Sequence, residues 1–340
     1  MAMKPGRIIS YSPFRISFAG GGTDIDPFCS KFGGAVVNAT IDRGVMISYT
    51  PDDFDLEISS RDFVRSIVVS NHERPVDALE SMYKLLEQEG INTGRIAVTS
   101  GVPPGSGLGS SSALVTALIS MIYSIKGITI EPGKIASEAY RIERDLFGVT
   151  LGRQDPYAIA IGDFKYMEFH GDSFRMVPLN SNASFVSELE KRILLVYTGR
   201  TRESSKVLRE QVELTVRGEA RTLEILSEIK RSADQAMDAA RKGSIEEFAK
   251  IMNTGWELKK KLGSGVTNQK IDSIISAAHE NGAIAARLMG GGSEGFVLAI
   301  SRKGELGKLQ KAISDYSDFA IRVSFDRGGT RTGKRSVIPF

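Results

Sequence analysis

Cysteine is almost absent from this chain. The single Cys29 among 340 residues cannot close an internal disulfide, which excludes a disulfide-stapled scaffold and fits a reducing compartment. Histidine is nearly as scarce: His72, His170 and His279 stand far apart and, with one cysteine, offer no zinc-like ligand cluster. Long apolar runs are missing, so no segment reaches membrane-spanning length. The stretch from Met1 to Tyr11 lacks the apolar core of a secretory signal. Neither sign of charge dominates. Lys and Arg number 44 against 41 Asp and Glu, a net of +3, which argues against nucleic acid as the main partner and suits a small anionic substrate. A cytoplasmic protein with no membrane and no nucleic-acid partner is the expectation. What is present is an ordinary core composition, 41% hydrophobic and 25% charged, on enough chain for one large or two ordinary domains.

Periodicity divides the chain into two textures. The first reads as strands and turns: Arg7–Tyr11, Phe14–Phe18, Ala35–Ile41 and Val45–Tyr49 are short β-branched runs, and Arg95–Thr99 is another. Apolar residues at helical spacing predict a helix over Asp77–Glu89 and another carrying the stripe Ala113, Leu114, Ala117, Leu118, Met121 and Ile122. Pro132 starts and Gly148 stops a further helix, and Asp163–Pro178 reads as a hairpin. After a strand at Ile193–Tyr197 the texture becomes helical from Arg202 to Leu262 with a break at Gly243, then again over Ile271–Asn281. Strands return at Phe296–Ile300 and Ala320–Phe325, and the basic tail beyond Gly328 is expected to be loose. The change of texture sets a boundary near residues 180–195, giving units 1–185 and 186–340.

The strongest local signal is Pro103-Pro104-Gly105-Ser106-Gly107-Leu108-Gly109-Ser110-Ser111-Ser112-Ala113, set between a strand and a helix. Glycines let the backbone approach a ligand closely, and the following helix offers unpaired amides and the positive end of its dipole. Together with the serine hydroxyls this is an anion site suited to phosphates. It is neither a Walker A loop, since no Gly-Lys-Ser/Thr follows, nor a dinucleotide fingerprint.

This loop resembles the nucleotide-binding motif of the GHMP kinases. The resemblance implies an α+β fold of two lobes: an N-terminal lobe like ribosomal protein S5 domain 2, and a ferredoxin-like C-terminal lobe with added helices. It implies ATP on Pro104, Gly105, Ser106, Gly107, Leu108, Gly109, Ser110, Ser111 and Ser112. Pro13-Phe14-Arg15-Ile16-Ser17-Phe18-Ala19-Gly20-Gly21-Gly22-Thr23-Asp24 resembles the family's first motif. Arg15 falls where such kinases carry a cation beside the reacting hydroxyl, and Gly22, Thr23 and Asp24 fall at the acceptor turn. Glu143 matches the carboxylate that holds Mg²⁺ with a loop serine, Ser111 by register with Ser110 and Ser112 beside it; Mg²⁺ takes such hard oxygen ligands and keeps waters. Asp155, in Leu151-Gly152-Arg153-Gln154-Asp155-Pro156-Tyr157-Ala158, matches the catalytic aspartate, whose task is to accept a hydroxyl proton.

Two further stretches complete the resemblance. Leu195-Val196-Tyr197-Thr198-Gly199-Arg200-Thr201-Arg202-Glu203-Ser204-Ser205 points to Arg202 as a clamp for a sugar phosphate. Arg287-Leu288-Met289-Gly290-Gly291-Gly292-Ser293-Glu294-Gly295 keeps the glycine frame of the third motif, with Gly291 and Gly292 toward substrate. Arg287 stands there in place of the usual lysine and Glu294 in place of a glycine, and the frame is expected between a helix and a strand. The Ala-Gly-Gly-Gly-Thr-Asp form of the first motif is similar to the D-glycero-D-manno-heptose 7-phosphate kinase branch. The implied reaction is ATP-dependent phosphorylation of a sugar or sugar phosphate, that heptose phosphate first. Another small acceptor (a hexose, an inositol or mevalonate) and an ATP-dependent decarboxylase of the same fold stay open.

Overall fold

The computed structural model describes residues 6–60, 65–68, 78–103, 105–199, 204–317 and 319–334. The first part of the chain runs β1 (Ile8–Ala19), α1 (Phe28–Phe32), β2 (Gly34–Asp55), β3 (Glu57–Ser60), β4 (Arg65–Val68), α2 (Ala78–Gln88) and β5 (Thr93–Ser100). Then come α3 (Ser110–Ile125), α4 (Pro132–Asp145), α5 (Gln154–Ile161), the hairpin β6 (Phe164–His170) and β7 (Ser173–Pro178), and α6 (Ala183–Glu190). The second part runs β8 (Ile193–Tyr197), α7 (Ser204–Val216), α8 (Ala220–Lys242), α9 (Ile245–Lys260) and α10 (Gln269–Glu280). It ends with β9 (Ala283–Leu288), β10 (Phe296–Ser301), α11 (Leu306–Ile313), β11 (Ala320–Ile321) and β12 (Arg331–Lys334).

One sheet has the order β12-β1-β2-β5-β3-β4, with β6 and then β7 branching from β2; the other has the order β11-β8-β10-β9. Helices and sheets of both kinds make this the expected α+β architecture. The two short strands read at Arg7–Tyr11 and Phe14–Phe18 are one strand, β1, with a register shift between Pro13 and Phe14. The extra residues of this bulge are Asp42 and Arg43 of β2, opposite the step from Pro13 to Phe14. Likewise Ala35–Ile41 and Val45–Tyr49 lie within the single β2.

The tail departs most from expectation. Arg331–Lys334 is not loose: it pairs antiparallel with β1, Ile8 opposite Lys334 and Tyr11 opposite Arg331. The reason is polar. Ser10 and Ser12 of β1 and Thr116 of α3 bury their hydroxyls, and a buried hydroxyl without a partner is costly. Thr330 Oγ1 lies 2.8 Å from Ser12 Oγ, and Thr332 Oγ1 donates to Ser10 Oγ at 2.8 Å. The Arg331 guanidinium lies 4.4 Å from the centroid of the Tyr11 ring.

The core joins the parts. Phe18 of β1 packs edge-on against Phe164 of β6 (5.7 Å between centroids) and Phe248 of α9 (5.1 Å). Phe185 of α6 meets Phe248 at 5.5 Å. Each ring contributes roughly 2–3 kcal/mol by burial. The helix α3 is apolar nearly all round, buried from Ser112 to Ile122 except for the half-buried Leu114, as a helix enclosed on nearly all sides must be. Among the described residues no helix is long and apolar enough to cross a membrane.

Candidate active site

A cleft of about 290 Å³ opens where β1, the turn after it, the loop before α3, the start of α5, helix α9 and the turn after β9 converge. Its floor is an ion pair. Arg15, on β1, is 5% exposed, and its Nε and Nη2 donate to Asp155 Oδ1 and Oδ2 at 2.7 and 2.6 Å. The third nitrogen, Nη1, donates to the Gly107 carbonyl at 2.6 Å. The forked guanidinium thus fixes both the carboxylate and the Gly-Ser loop. Asp155 occupies the first turn of α5, where the helix dipole favours negative charge.

The Gly-Ser loop reaches the cleft through Gly107, Gly109, Ser110, Ser111 and Ser112. Gly107 has φ +72°, and a Cβ there would lie 2.7 Å from the Met289 carbonyl oxygen, so only glycine lets the two turns touch. Leu108 is wholly buried, and its carbonyl accepts from the Arg15 amide at 3.0 Å. Gly105, Ser106 and Leu108 do not line the cleft. Pro104 and Arg202 lie outside the described residues.

Glu143, on the buried face of α4, accepts from Ser112 Oγ at 2.5 Å, and Ser111 is a second donor to the same carboxyl. Burial pushes its pKa up to about 7 against those two hydrogen bonds. No group of three or more His, Cys, Asp or Glu gathers as a metal site among the described residues. The fit to Mg²⁺ therefore rests on one buried carboxylate, with no ion-pair partner among the described residues, and on serine hydroxyls at the mouth of a phosphate-type loop. That donor set is chemically sufficient when phosphate oxygens and water complete it.

On the other side, Gly22 and Asp24 line the cleft. Asp24 is buried and accepts from the amides of Gly22 (3.1 Å) and Gln154 (2.9 Å). Desolvation raises its pKa. Gly152 permits this clasp, since a Cβ there would fall 1.9 Å from Asp24 Oδ2. Thr23 is not in the cleft: its hydroxyl donates to the Gly20 carbonyl at 2.8 Å and accepts from the Ala35 amide at 3.1 Å, holding the turn itself. Gly291 lines the cleft, whereas Gly292 packs toward Val266 and Val207. The third glycine frame joins two strands, β9 and β10, rather than a helix and a strand. Glu294 approaches Gly105, its Oε1 3.6 Å from where a Cβ would be, and stays out of the cleft lining.

Gln154, Arg287 and Lys259 are among the cleft residues to which the sequence assigned no role. Gln154 accepts from Ser17 Oγ at 2.9 Å, bridging β1 to α5. Arg287 is 3% exposed and its Nη1 donates to the Phe18 carbonyl at 2.9 Å. Lys259, 8% exposed, donates to the Gly290 carbonyl at 2.5 Å. Burial, then the charges of Arg287 and Arg15, push the Lys259 pKa down to about 7. Burial pushes that of Arg287 down to about 10. The signal for Lys259 was periodicity: Phe248, Met252, Trp256 and Lys259 share one helical face, which hides it within the run Lys259-Lys260-Lys261.

Known proteins with this pattern agree with one another. The family model described as GHMP kinases N terminal domain matches residues 75–163, and that described as GHMP kinases C terminal matches residues 236–318. A D-glycero-alpha-D-manno-heptose 7-phosphate kinase of Campylobacter jejuni is 30% identical over 96% of this chain and 98% of its own. A crystal structure titled a D-glycero-D-manno-heptose 1-phosphate kinase from Bacteriodes thetaiotaomicron superimposes with TM-score 0.76 at 25% identity, covering 97% of this chain and 100% of that one. One titled a putative sugar kinase from Campylobacter jejuni gives 0.78 at 29% identity, over 98% and 100%.

Proposed function

The chain belongs to the GHMP kinases and is an ATP-dependent sugar kinase, and on that premise we propose that it phosphorylates D-glycero-D-manno-heptose 7-phosphate at the anomeric hydroxyl, giving the 1,7-bisphosphate. The observation that carries the reading is the Arg15–Asp155 pair, held between the Gly-Ser loop and the Gly22–Asp24 turn. The relatives' names support a phosphorylated heptose as the acceptor class.

In this reading the acceptor hydroxyl lies against Asp155, with neighbouring hydroxyls on Asp24. Asp155 takes the hydroxyl proton as the oxygen attacks the γ-phosphorus, and the bond to the β–γ bridging oxygen breaks to release ADP. Arg15 orients Asp155 and offers positive charge where the attacking oxygen becomes anionic. Ser110, Ser111, Ser112 and the amides at the start of α3 receive the phosphates. Glu143 with Ser111 or Ser112 would hold Mg²⁺, which when bound neutralises charge on the transferring phosphoryl group. Residues 1–185 form the nucleotide-binding unit and 186–340 the second unit of a cytoplasmic enzyme, with β12 returned to the first sheet.

The test is ³¹P NMR of the purified protein with MgATP and the heptose 7-phosphate, Asp155→Asn in parallel. A new anomeric phosphate signal with ADP formation, absent in the variant, is the expected result. ADP formation only with a hexose, an inositol or mevalonate would move the acceptor assignment, and release of CO₂ would replace transfer by decarboxylation.

A further inference from the structure

Two cationic side chains in the cleft wall form no ion pair with an anion among the described residues. Lys259 and Arg287 are both more than nine-tenths buried, yet among the described residues their hydrogen bonds go only to the carbonyls of Gly290 and Phe18. The buried Nε of Arg287 has no partner among the described residues. Taking one such ion out of water costs several kcal/mol even after relaxation, and placing two together adds repulsion. Asp24 and Asp155 act favourably on Lys259, but burial, Arg287 and Arg15 outweigh them. A wall of this kind is stabilised by an anion delivered through the cleft.

We propose that Lys259 and Arg287 form the subsite for the phosphate that the acceptor sugar already carries. This rests on the reading of the chain as a sugar-phosphate kinase. The nucleotide has its own anion site in the serines and the free amides at the start of α3. Arg287 instead is fixed to Phe18, at the strand end that leads into the Gly20–Gly22 turn, and so belongs to the acceptor side. With Nη1 committed to that carbonyl and Nε sealed from solvent, Nη2 is the nitrogen left to meet a phosphate oxygen, and the whole guanidinium supplies its charge. Lys259 adds a point charge from α9, held by Gly290 at the turn that touches Gly107. The acceptor phosphate is then gripped by residues of the second part of the chain, while its reacting hydroxyl meets Asp155 of the first.

The experiment compares wild type, Lys259→Met, Arg287→Met and Arg287→Lys, each checked for native circular dichroism. Arg287→Lys keeps a charge at the position should the neutral variant not fold. Steady-state kinetics are run with D-glycero-D-manno-heptose 7-phosphate and with the unphosphorylated heptose, and binding of inorganic phosphate is measured by calorimetry without nucleotide. We expect the wild type to prefer the phosphorylated sugar and the preference to fall at least about tenfold in Lys259→Met, with the loss in acceptor KM. Inorganic phosphate binding should weaken in parallel. Preference and phosphate binding retained in every variant would overturn the subsite and leave the kinase reading standing. A rise in the KM for ATP instead would also overturn it, assigning the pair to the nucleotide. A wild type without preference would overturn the subsite and the phosphorylated acceptor together. Phosphate binding that needs Lys259 in an enzyme that turns over no heptose phosphate would support the subsite and remove only the heptose.

Discussion

Arg15 holds Asp155 by both carboxylate oxygens, at 2.7 and 2.6 Å, while its remaining nitrogen holds Gly107 at 2.6 Å. One guanidinium therefore sets the distance between the proton acceptor and the phosphate loop. Asp155→Asn keeps the size of the side chain but cannot take a proton. It should lower kcat by about a hundred- to ten-thousandfold with the KM for ATP nearly constant. Arg15→Lys loses the planar fork that holds both carboxylate oxygens while a third nitrogen holds Gly107, and should raise the KM for ATP as well as lower kcat. Initial rates at varied ATP separate the two patterns.

The Ser112–Glu143 contact makes a prediction about metal. Glu143→Gln keeps an acceptor for Ser112 and removes the charge. The Mg²⁺ concentration for half-maximal rate should rise at least roughly tenfold, read from Mg²⁺ titrations at saturating ATP. An unchanged titration would assign Glu143 to packing.

How much of this was legible in the sequence depended on what a residue's neighbours in the chain could say. Arg15, Gly107, Asp24 and Asp155 sit in short runs whose glycines and turns announce themselves, and the cleft gathers all four. Thr23 belongs to the same run, yet its hydroxyl closes the turn, because the Ala35 amide meets it from a strand whose place beside the turn no local pattern gives. Lys259 was hidden by its charge, since a lysine run reads as solvated until the buried face of α9 is traced through it. The pairing of β12 with β1 was invisible, because the need for Thr330 and Thr332 arises from serines more than 300 positions away. The break at Arg217-Gly218-Glu219 between α7 and α8 also lay inside what reads as continuous helix.

Contact between the two glycine turns gives a third prediction. A methyl on Gly107 would meet the Met289 carbonyl oxygen at 2.7 Å with φ at +72°. Backbone strain of this kind costs about 1–3 kcal/mol. Gly107→Ala should lower the midpoint of urea unfolding accordingly. It should also raise the KM for ATP, since relief of the clash moves the loop off Arg15. Gly133→Ala, where nothing lies within 4 Å of the added methyl, is the matched control.

Lys165 supplies a pH test remote from the cleft. It is 1% exposed on β6, its ammonium donates to the Asp163 carbonyl at 3.1 Å, and burial pushes its pKa down to about 7. The unfolded chain binds this proton more tightly than the native one, so the group adds stability as pH rises from about 7 toward 10.5. That increment is lost as pH falls from 10.5 toward 7, and below 7, where both states hold the proton, nothing further is lost. The span is on the order of 5 kcal/mol at most. Lys165→Met should remove this rising component and leave the variant more stable than wild type at pH 7, as followed by chemical denaturation across that range.

The last prediction follows the proton on Lys259. Arg287 on β9 and Arg15 on β1 disfavour its charge, Asp24 and Asp155 favour it, and burial leaves the pKa at about 7. At pH 8 the free amine is thus mostly neutral. A phosphate dianion placed against it favours the ammonium, so acceptor binding should draw up to about one proton from solution. Calorimetry in two buffers of different ionisation enthalpy measures this directly. At pH 6 the amine is already charged, and the acceptor's phosphate, with its second pKa near ~6, would release a proton instead. The sign of proton exchange should therefore reverse between pH 6 and 8. In Lys259→Met the uptake at pH 8 should vanish while release at pH 6 diminishes only as Arg287 alone binds the phosphate. Uptake that persists in Lys259→Met would place the titrating group elsewhere.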